Sequence, residues 1–384
     1  MGKTQNDRKI SIKLIVVLSI IVLIVVFFCL YNFNYSFRQS VNNMLPLQTN
    51  TDENAPMINI DQNAINVILG YDEYFAILKQ NTITGYINQE PEFTNNVSIT
   101  NPIYATKCKY LLIAEKASDT VYLFNGENLI YEKKVGGEIT GLTVNKNGYV
   151  AVVTKKSGYR SVVTVYNPEG MEMFLTYFST TYASHVQISP NNKNMAIVEV
   201  DTSGIQVSSG IKFVQIDKIA QSTQAISTGK ETGRVISDIQ FATNDTVVYL
   251  TDAMVKEVNV AGEKKDILDL LDTNIINVDI SLGKYIIKVE KTKNGIFTAS
   301  TDIVIIDREN KEVGRYTSDG TIKQIKVKDD VIVANIGQEL YFLTSTGRPI
   351  KKYISNTDIK DIVIYNGGKM AALVHRNKVE IIYI

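Results

Sequence analysis

Histidine and cysteine are the scarcest side chains here that could do nucleophilic, acid–base or metal chemistry. The 384 residues include two His and two Cys. A zinc site would need His185 and His375 together, joined by carboxylates from elsewhere in the chain. A Ser-His-Asp triad would need one of them beside Ser and Asp from distant segments. The competing interpretation is that both histidines are structural.

The local motifs complete no catalytic or metal site. The sequence lacks G-x-S-x-G, a P-loop, G-x-G-x-x-G, H-E-x-x-H and a D-x-D-x-D-G calcium loop. Candidate carboxylate pairs for glycoside cleavage mostly lie in turn-like segments, such as 307–309 and 329–330, where solvation explains them. The sequence therefore predicts no catalytic residue, no metal and no cofactor. The alternative is a hydrolase or lyase whose catalytic residues come from distant segments that the fold brings together, as at the mouth of a β-propeller channel.

A second group of residues suits recognition, because exposed aromatic and Arg side chains commonly anchor interfaces. Three segments, 155–160, 201–210 and 291–300, are predicted to connect second and third strands of a repeated unit and to open on one face. Segment 177–182 is expected to join that face. An open alternative is that these aromatics pack against neighbouring repeats. The candidate binding residues are Tyr159, Arg160, Phe297, Tyr177 and Tyr182.

The elements that position these residues follow a repeat, seen most clearly over 139–170. Ile139, Leu142 and Val144 open it, Asn147-Gly148 predicts a turn, and the apolar run 149–154 is typical of a strand buried on both faces. Two further turn signals bound a third strand. The apolar openings, spaced three and then two residues apart, begin at Ile65, Ile99, Ile139, Ala183, Ile236, Ile275, Ile322 and Ile359.

Four-stranded units recurring every 35–55 residues or so predict an all-β β-propeller. We expect eight blades, with seven as the alternative, because Gly70 stands where the first opening needs its third apolar residue. The last repeat has only three strands, and the strand at 57–60 is predicted to complete it alongside 379–383. Segment 263–272 is either a helix or an outer strand. Cys108 is expected to be a strand residue rather than a nucleophile.

The phrases at 144–153 and 188–193 resemble the strand-turn-strand phrases of WD40-like and quinoprotein-like propellers. The whole pattern resembles a clostridial family of membrane-anchored propellers classed as a domain of unknown function. That resemblance implies a fold and no particular activity. The chain departs from standard WD40 proteins in lacking a Trp-Asp dipeptide. It has no Trp at all, which argues against a quinone cofactor.

The N-terminal region predicts a membrane anchor. Residues 14–37 carry no charge and are long enough to span a bilayer as a helix. Four basic residues precede this stretch, at Lys3, Arg8, Lys9 and Lys13, and the positive-inside rule then places the N-terminus in the cytoplasm. We expect a cytoplasmic tail (1–13), a transmembrane helix (14–37), a linker (38–56) and an extracytoplasmic propeller (57–384) of a single-pass plasma-membrane protein.

The net charge of residues 46–384 limits the classes of partner that the propeller could bind. Residues 1–45 hold five basic groups and one acid, which leaves 35 basic and 39 acidic residues beyond them. An acidic balance without a basic, aromatic-rich patch argues against nucleic acid. The sequence thus favours an anchored binding or scaffold module for an envelope protein or a cell-wall polymer.

Overall fold

Eight sheets, each with four antiparallel strands, form the blades of a β-propeller, and one of them has a short fifth strand at its edge. The structure confirms the predicted all-β fold and the blade count of eight. The computed structural model describes residues 12–33, 37, 41, 49–50, 55–217, 227–291, 300–318 and 320–384. One α-helix, Ile12–Phe33, precedes the propeller. Across the described residues, no helix is both long and apolar enough to cross a membrane.

The blades follow one another along the chain, each built from four strands. Blades 1 to 4 comprise Ile65–Tyr71, Tyr74–Lys79, Thr82–Tyr86, Pro91–Asn96; Pro102–Lys107, Tyr110–Glu115, Thr120–Asn125, Asn128–Lys134; Glu138–Val144, Val150–Lys156, Tyr159–Tyr166, Glu172–Phe178; and Tyr182–Ile188, Asn194–Asp201, Ser208–Gln215, Ser227–Glu231. Blades 5 to 8 comprise Ile236–Phe241, Thr246–Thr251, Met254–Asn259, Lys264–Asp269; Ile275–Asp279, Tyr285–Lys291, Thr301–Asp307, Glu312–Ser318; Gln324–Lys328, Val331–Asn335, Glu339–Thr344, Pro349–Ile354; and Asp361–Tyr365, Met370–Val374, Lys378–Tyr383, Met57–Asn59. Short 3₁₀ turns lie at Gln62–Ala64 and Asn366–Gly368.

The second strand of each blade shows how the core is built. In Tyr110–Glu115, Leu111 and Ile113 pack into a cluster shared with blade 1, whereas Leu112 and Ala114 pack into one shared with blade 3. Successive side chains of a strand point to opposite faces, so a strand between two blades must be apolar throughout. Among the described residues, every pair of adjacent blades shares such a cluster, including blades 8 and 1.

A β-bulge explains the spacing of three residues in five of the eight openings. In blade 3 the pairing of the first strand with the second shifts between Ile139 and Gly141. Blades 1, 4, 5 and 6 shift at the equivalent place. A bulge inserts one extra residue, so two apolar residues three apart can face the same neighbouring blade. The bulge therefore accounts for an irregularity that simple alternation does not predict.

The ring closes where the sequence predicts it. Met57, Ile58 and Asn59 pair antiparallel with Glu380, Val379 and Lys378. Ile58 and Ile60 pack against the core that blades 8 and 1 share. Upstream of this strand, Thr49–Asn50 adds a parallel edge to the outer strand of blade 7.

Two local features were unsettled or wrong in the sequence interpretation. The 263–272 segment contains the outer strand Lys264–Asp269, not a helix. Cys108 is not a strand residue: it occupies the turn after Pro102–Lys107, is exposed, and has φ of 49°.

Close packing explains why Gly70 stands in the first opening, since a Cβ there would clash with the Ile364 carbonyl oxygen of blade 8. The residue that weakened the first opening is thus required at the junction of first and last blades.

Candidate binding face and central channel

Topology sorts the loops onto two faces of the propeller. Connections between second and third strands, and those between consecutive blades, lie on one face, which we call the upper face. Turns between first and second strands, and between third and fourth strands, lie on the opposite, lower face. The segments 155–160, 201–210 and 177–182 therefore share the upper face. Phe297 and residues 292–299 of the third predicted loop lie outside the described residues.

Four of the five predicted binding residues come together between blades 3 and 4. The rings of Tyr159 and Tyr177 are 4.6 Å apart, centroid to centroid. Next to them, Arg160 Nη1 donates a 2.7 Å hydrogen bond to the Tyr182 hydroxyl, and its guanidinium lies 4.9 Å from that ring's centroid. The four side chains thus form two contacting pairs joined by the backbone between Tyr159 and Arg160.

These aromatics are only partly buried by one another. Tyr159, Tyr177 and Tyr182 keep 40%, 44% and 42% of their surface exposed, whereas Phe178 packs inside the core between blades 3 and 4. A hydrogen-bonded Arg stacked on Tyr holds its planar cation in place. The cluster is therefore an ordered surface with aromatic area left uncovered.

Electrostatics links this cluster to the neighbouring loop of blade 4. Hydrogen bonds from Ser203 hold the pKa of the exposed Asp201 carboxyl below its ordinary value, with Lys230 and Arg160 adding to the effect. The charges of the two loops are thus complementary, and Asp201 stays ionised at neutral pH.

The upper face carries further exposed aliphatic side chains that sequence reasoning missed. They are distributed over blades 4 to 6, in or next to the connections of the upper face. Together with Tyr159, Arg160, Tyr177 and Tyr182 we call them the upper arc; the added members are Ile205, Val207, Val235, Leu271 and Ile276. Ile205, in the second-to-third-strand loop of blade 4, is fully exposed. The available signal for Ile205 and Val207 was their apolar character inside segment 201–210, which the sequence already predicted to open on this face.

The channel along the propeller axis holds a small set of titratable groups. Burial raises the pKa of Asp238 on the first strand of blade 5, and Asp279 of blade 6 raises it further, while His185 of blade 4 opposes the shift. Elsewhere on the channel wall, Lys326 and Asp361 form a 2.9 Å ion pair. No group of three His, Cys, Asp or Glu side chains in the described ranges is arranged to hold a metal ion.

His375 lies far from this channel cluster, in a buried polar site of blade 8. Its Nε2 is 2.9 Å from Glu380 Oε2, and the Tyr353 hydroxyl of blade 7 donates to the other oxygen of the same carboxylate. Both His375 and Glu380 are buried. Because a carboxylate only accepts, Nε2 carries a proton. His185 and His375 thus occupy blades 4 and 8 and do not share a site.

Comparison with known proteins agrees with the fold. The model of a family of unknown function, DUF5711, matches residues 58–384. The chain belongs to this family. The family assignment covers the whole propeller and carries no activity. No curated protein sequence matches the chain.

Solved structures resemble this member of DUF5711 in fold alone. The C-terminal WD40 domain of Sif2 superposes with a TM-score of 0.55 at 12% identity, over 86% of this chain and 99% of that one. BamB from Moraxella catarrhalis superposes with a TM-score of 0.49 at 10% identity, over 85% of this chain and 98% of that one. The tricorn protease gives 0.48 at 11% identity, over 78% of this chain and 36% of that one. The likeness to the Sif2 domain, at 12% identity, supports a propeller fold and no shared function.

Proposed function

We propose that this protein is a membrane-anchored, extracytoplasmic binding module that captures an envelope protein through the upper arc. One observation carries the proposal: exposed aromatic and aliphatic side chains are concentrated on the upper face of blades 3 to 6. Contiguous apolar patches on a soluble surface commonly mark interaction sites. The uncharged stretch at 14–37 and the basic residues before it support the anchor and its orientation.

The composition of the arc favours a protein over a cell-wall polymer. Tyr and Arg suit either partner, but Ile205, Val235 and Leu271 offer only aliphatic surface. Apolar aliphatic surface matches the buried centre of a protein interface, whereas a polysaccharide presents mainly hydroxyl groups. A cell-wall polymer is therefore an outcome that the test must be able to reveal.

The test compares the wild type with Tyr159→Ala/Tyr177→Ala/Tyr182→Ala in intact cells. Crosslinking followed by mass spectrometry should identify a protein partner whose yield falls at least tenfold in the variant, since anchor residues contribute about 2 kcal/mol or more each. Leu129→Ala/Ile130→Ala/Met171→Ala is the matched control, because it removes exposed apolar groups near lower-face turns. The control should keep wild-type yield.

Two results would contradict the proposal. Equal partner yield in the wild type and the tyrosine variant would remove the arc from recognition. A melting temperature lowered by more than a few degrees would show that the tyrosines mainly stabilise the fold, because surface substitutions usually change stability by less than about 0.5 kcal/mol. Retention on purified cell wall without a protein partner would identify a polymer ligand instead.

The alternative is a hydrolase or lyase, and one observation favours it. Asp238 is a channel carboxyl whose burial raises its pKa, beside His185 and Asp279, and such groups occur at catalytic sites. Structural burial perturbs pKa values in the same direction, so this observation is weaker than the arc. Turnover of any envelope polymer that Asp238→Asn abolishes would favour the enzyme.

A further inference from the structure

At the lower face the channel opens into a cavity of about 630 Å³. Residues in or beside the turns between first and second strands line it, contributed by blades 2 to 7. Four lysines, Lys107, Lys146, Lys284 and Lys328, stand against two carboxylates, Asp329 and Asp330. This local excess of positive charge contrasts with residues 46–384 as a whole, in which acidic residues outnumber basic ones.

Lys328 is the least solvated of the four lysines. Its ammonium donates to the carbonyl oxygen of Gly70, and no carboxylate pairs with it among the described residues. Burial, and the nearby charge of Lys107, lower the pKa of Lys328, while Asp329 opposes the shift. Lys328 is thus a half-buried ammonium whose hydrogen-bond acceptor is a neutral carbonyl and not a carboxylate.

The other lysines divide into one paired and two available cations. Lys284 Nζ lies 3.1 Å from Asp330 Oδ1. Lys107 and Lys146 are exposed, and the ammonium group of neither makes a hydrogen bond or ion pair with any described residue. Three ammonium groups at one cavity therefore lack a carboxylate partner.

Hydrogen bonds between blades fix part of this rim. Asn145 Nδ2 donates to Asn192 Oδ1 at 2.6 Å, and Asn147 Nδ2 donates to the carbonyl oxygen of Pro190 at 3.0 Å. These bonds tie the turn that carries Lys146 to the equivalent turn of blade 4. A cavity with an ordered wall loses less entropy when a ligand binds.

We propose that this lower mouth binds a phosphate group carried on a small organic molecule or on a lipid. Lysine ammonium groups bind phosphate as point charges, and a phosphate would neutralise the positive charge of the lysines that have no carboxylate partner. The cavity is much larger than a phosphate ion, and Phe241 and Leu282 add apolar surface for the group that bears it. This site lies on the face opposite the upper arc and does not depend on it.

Cys108 lines the same cavity and supplies a reporter. The full-length chain with Cys29→Ser, purified in a non-ionic detergent, has Cys108 as its sole thiol. The rate of Cys108 modification by a neutral disulfide is measured while inorganic phosphate or glycerol 3-phosphate is added at constant ionic strength. Both should slow the reaction in a saturable manner, by threefold or more. Mixed micelles containing phosphatidic acid, compared with phosphatidylcholine alone, separate a lipid source from a soluble one.

The decisive variant is Lys107→Gln/Lys146→Gln, which removes two exposed charges without disturbing the core. It should lose the saturable protection, whereas Lys116→Gln/Lys134→Gln should retain it. The control pair has the same charge change on exposed lysines of blade 2 that lie away from the cavity. Protection by any phosphate-bearing probe that depends on Lys107 and Lys146 supports the proposal. Absence of saturable protection with every probe, or equal protection in both variants, overturns it. Neither result bears on partner capture by the upper arc.

Discussion

Substitution of Glu380 offers a quantitative test of the junction between blades 7 and 8. Glu380 accepts hydrogen bonds from Tyr353 and His375 in a buried site. Glu380→Ala removes the acceptor of both hydrogen bonds. Each unsatisfied buried group costs about 1–3 kcal/mol, so the free energy of unfolding should fall by about 2–6 kcal/mol. Glu380→Gln keeps the shape of the side chain and at least one acceptor, so the free energy of unfolding should fall by only about 1 kcal/mol.

The same carboxylate predicts a pH dependence with a definite sign. Burial opposes ionisation of Glu380, but hydrogen bonds from His375 and Tyr353 outweigh burial and hold its pKa below the ordinary 4.5. A lowered pKa in the folded state contributes stability above the unfolded pKa, and this stability is lost as pH falls through the folded value. The gap in stability between wild type and Glu380→Gln should therefore narrow below about pH 4.5.

Thermal unfolding followed by circular dichroism, from pH 7 to pH 3.5, measures both effects. Each kcal/mol lost from the free energy of unfolding lowers the melting temperature of a large domain by about 2–4 °C or somewhat less. Glu380→Ala should therefore lower the melting temperature by several degrees. Lys378→Gln gives the electrostatic contribution separately, because this partly exposed neighbour lies 3.9 Å from the carboxylate, and it should change the melting temperature less than Glu380→Ala does. A Glu380→Ala melting temperature within 1 °C of wild type, or a gap that widens on acidification, would refute this account.

Three further predictions follow from the junction and the anchor. Deleting residues 56–61 removes the strand that completes blade 8 and should cause a large fall in melting temperature or aggregation; an unchanged soluble domain would disprove the closure. Gly70→Val should destabilise by about 1–3 kcal/mol in chemical denaturation, because its Cβ meets the Ile364 carbonyl, whereas Gly204→Ala should cost less, because a Cβ there would lie no closer than 3.5 Å to any atom. External protease should degrade the propeller on intact protoplasts if the proposed orientation holds; full protection would disprove it.

The sequence predicted those parts of the fold that rest on repeated local patterns. Apolar runs such as 150–154 mark strands buried on both faces, and their recurrence predicts the blades. The closing strand was predictable because one repeat lacked a strand and a spare one stood at the other end of the repeats. Cys108 was misassigned because the two-residue turn there has no Gly or Asn to signal it.

The sites were harder to predict because they combine residues from separate blades. The pairing of Arg160 with Tyr182 depends on two connections meeting above the junction of blades 3 and 4. The lysines of the lower mouth are scattered between positions 107 and 328, and only the ring brings them together. Glu380 and His375 are five residues apart, yet their burial depends on blade 7.

The closing strand also constrains the order in which the chain can fold. Met57 and Lys378 are in contact across a separation of 321 residues. During synthesis the N-terminal strand emerges first and must wait, unpaired, until nearly all of the chain is available. Contacts of such long range form late, because loop closure must precede them. Until then, blade 8 has an open edge, and the interval before closure is when strand exchange between two nascent copies would produce a domain-swapped dimer.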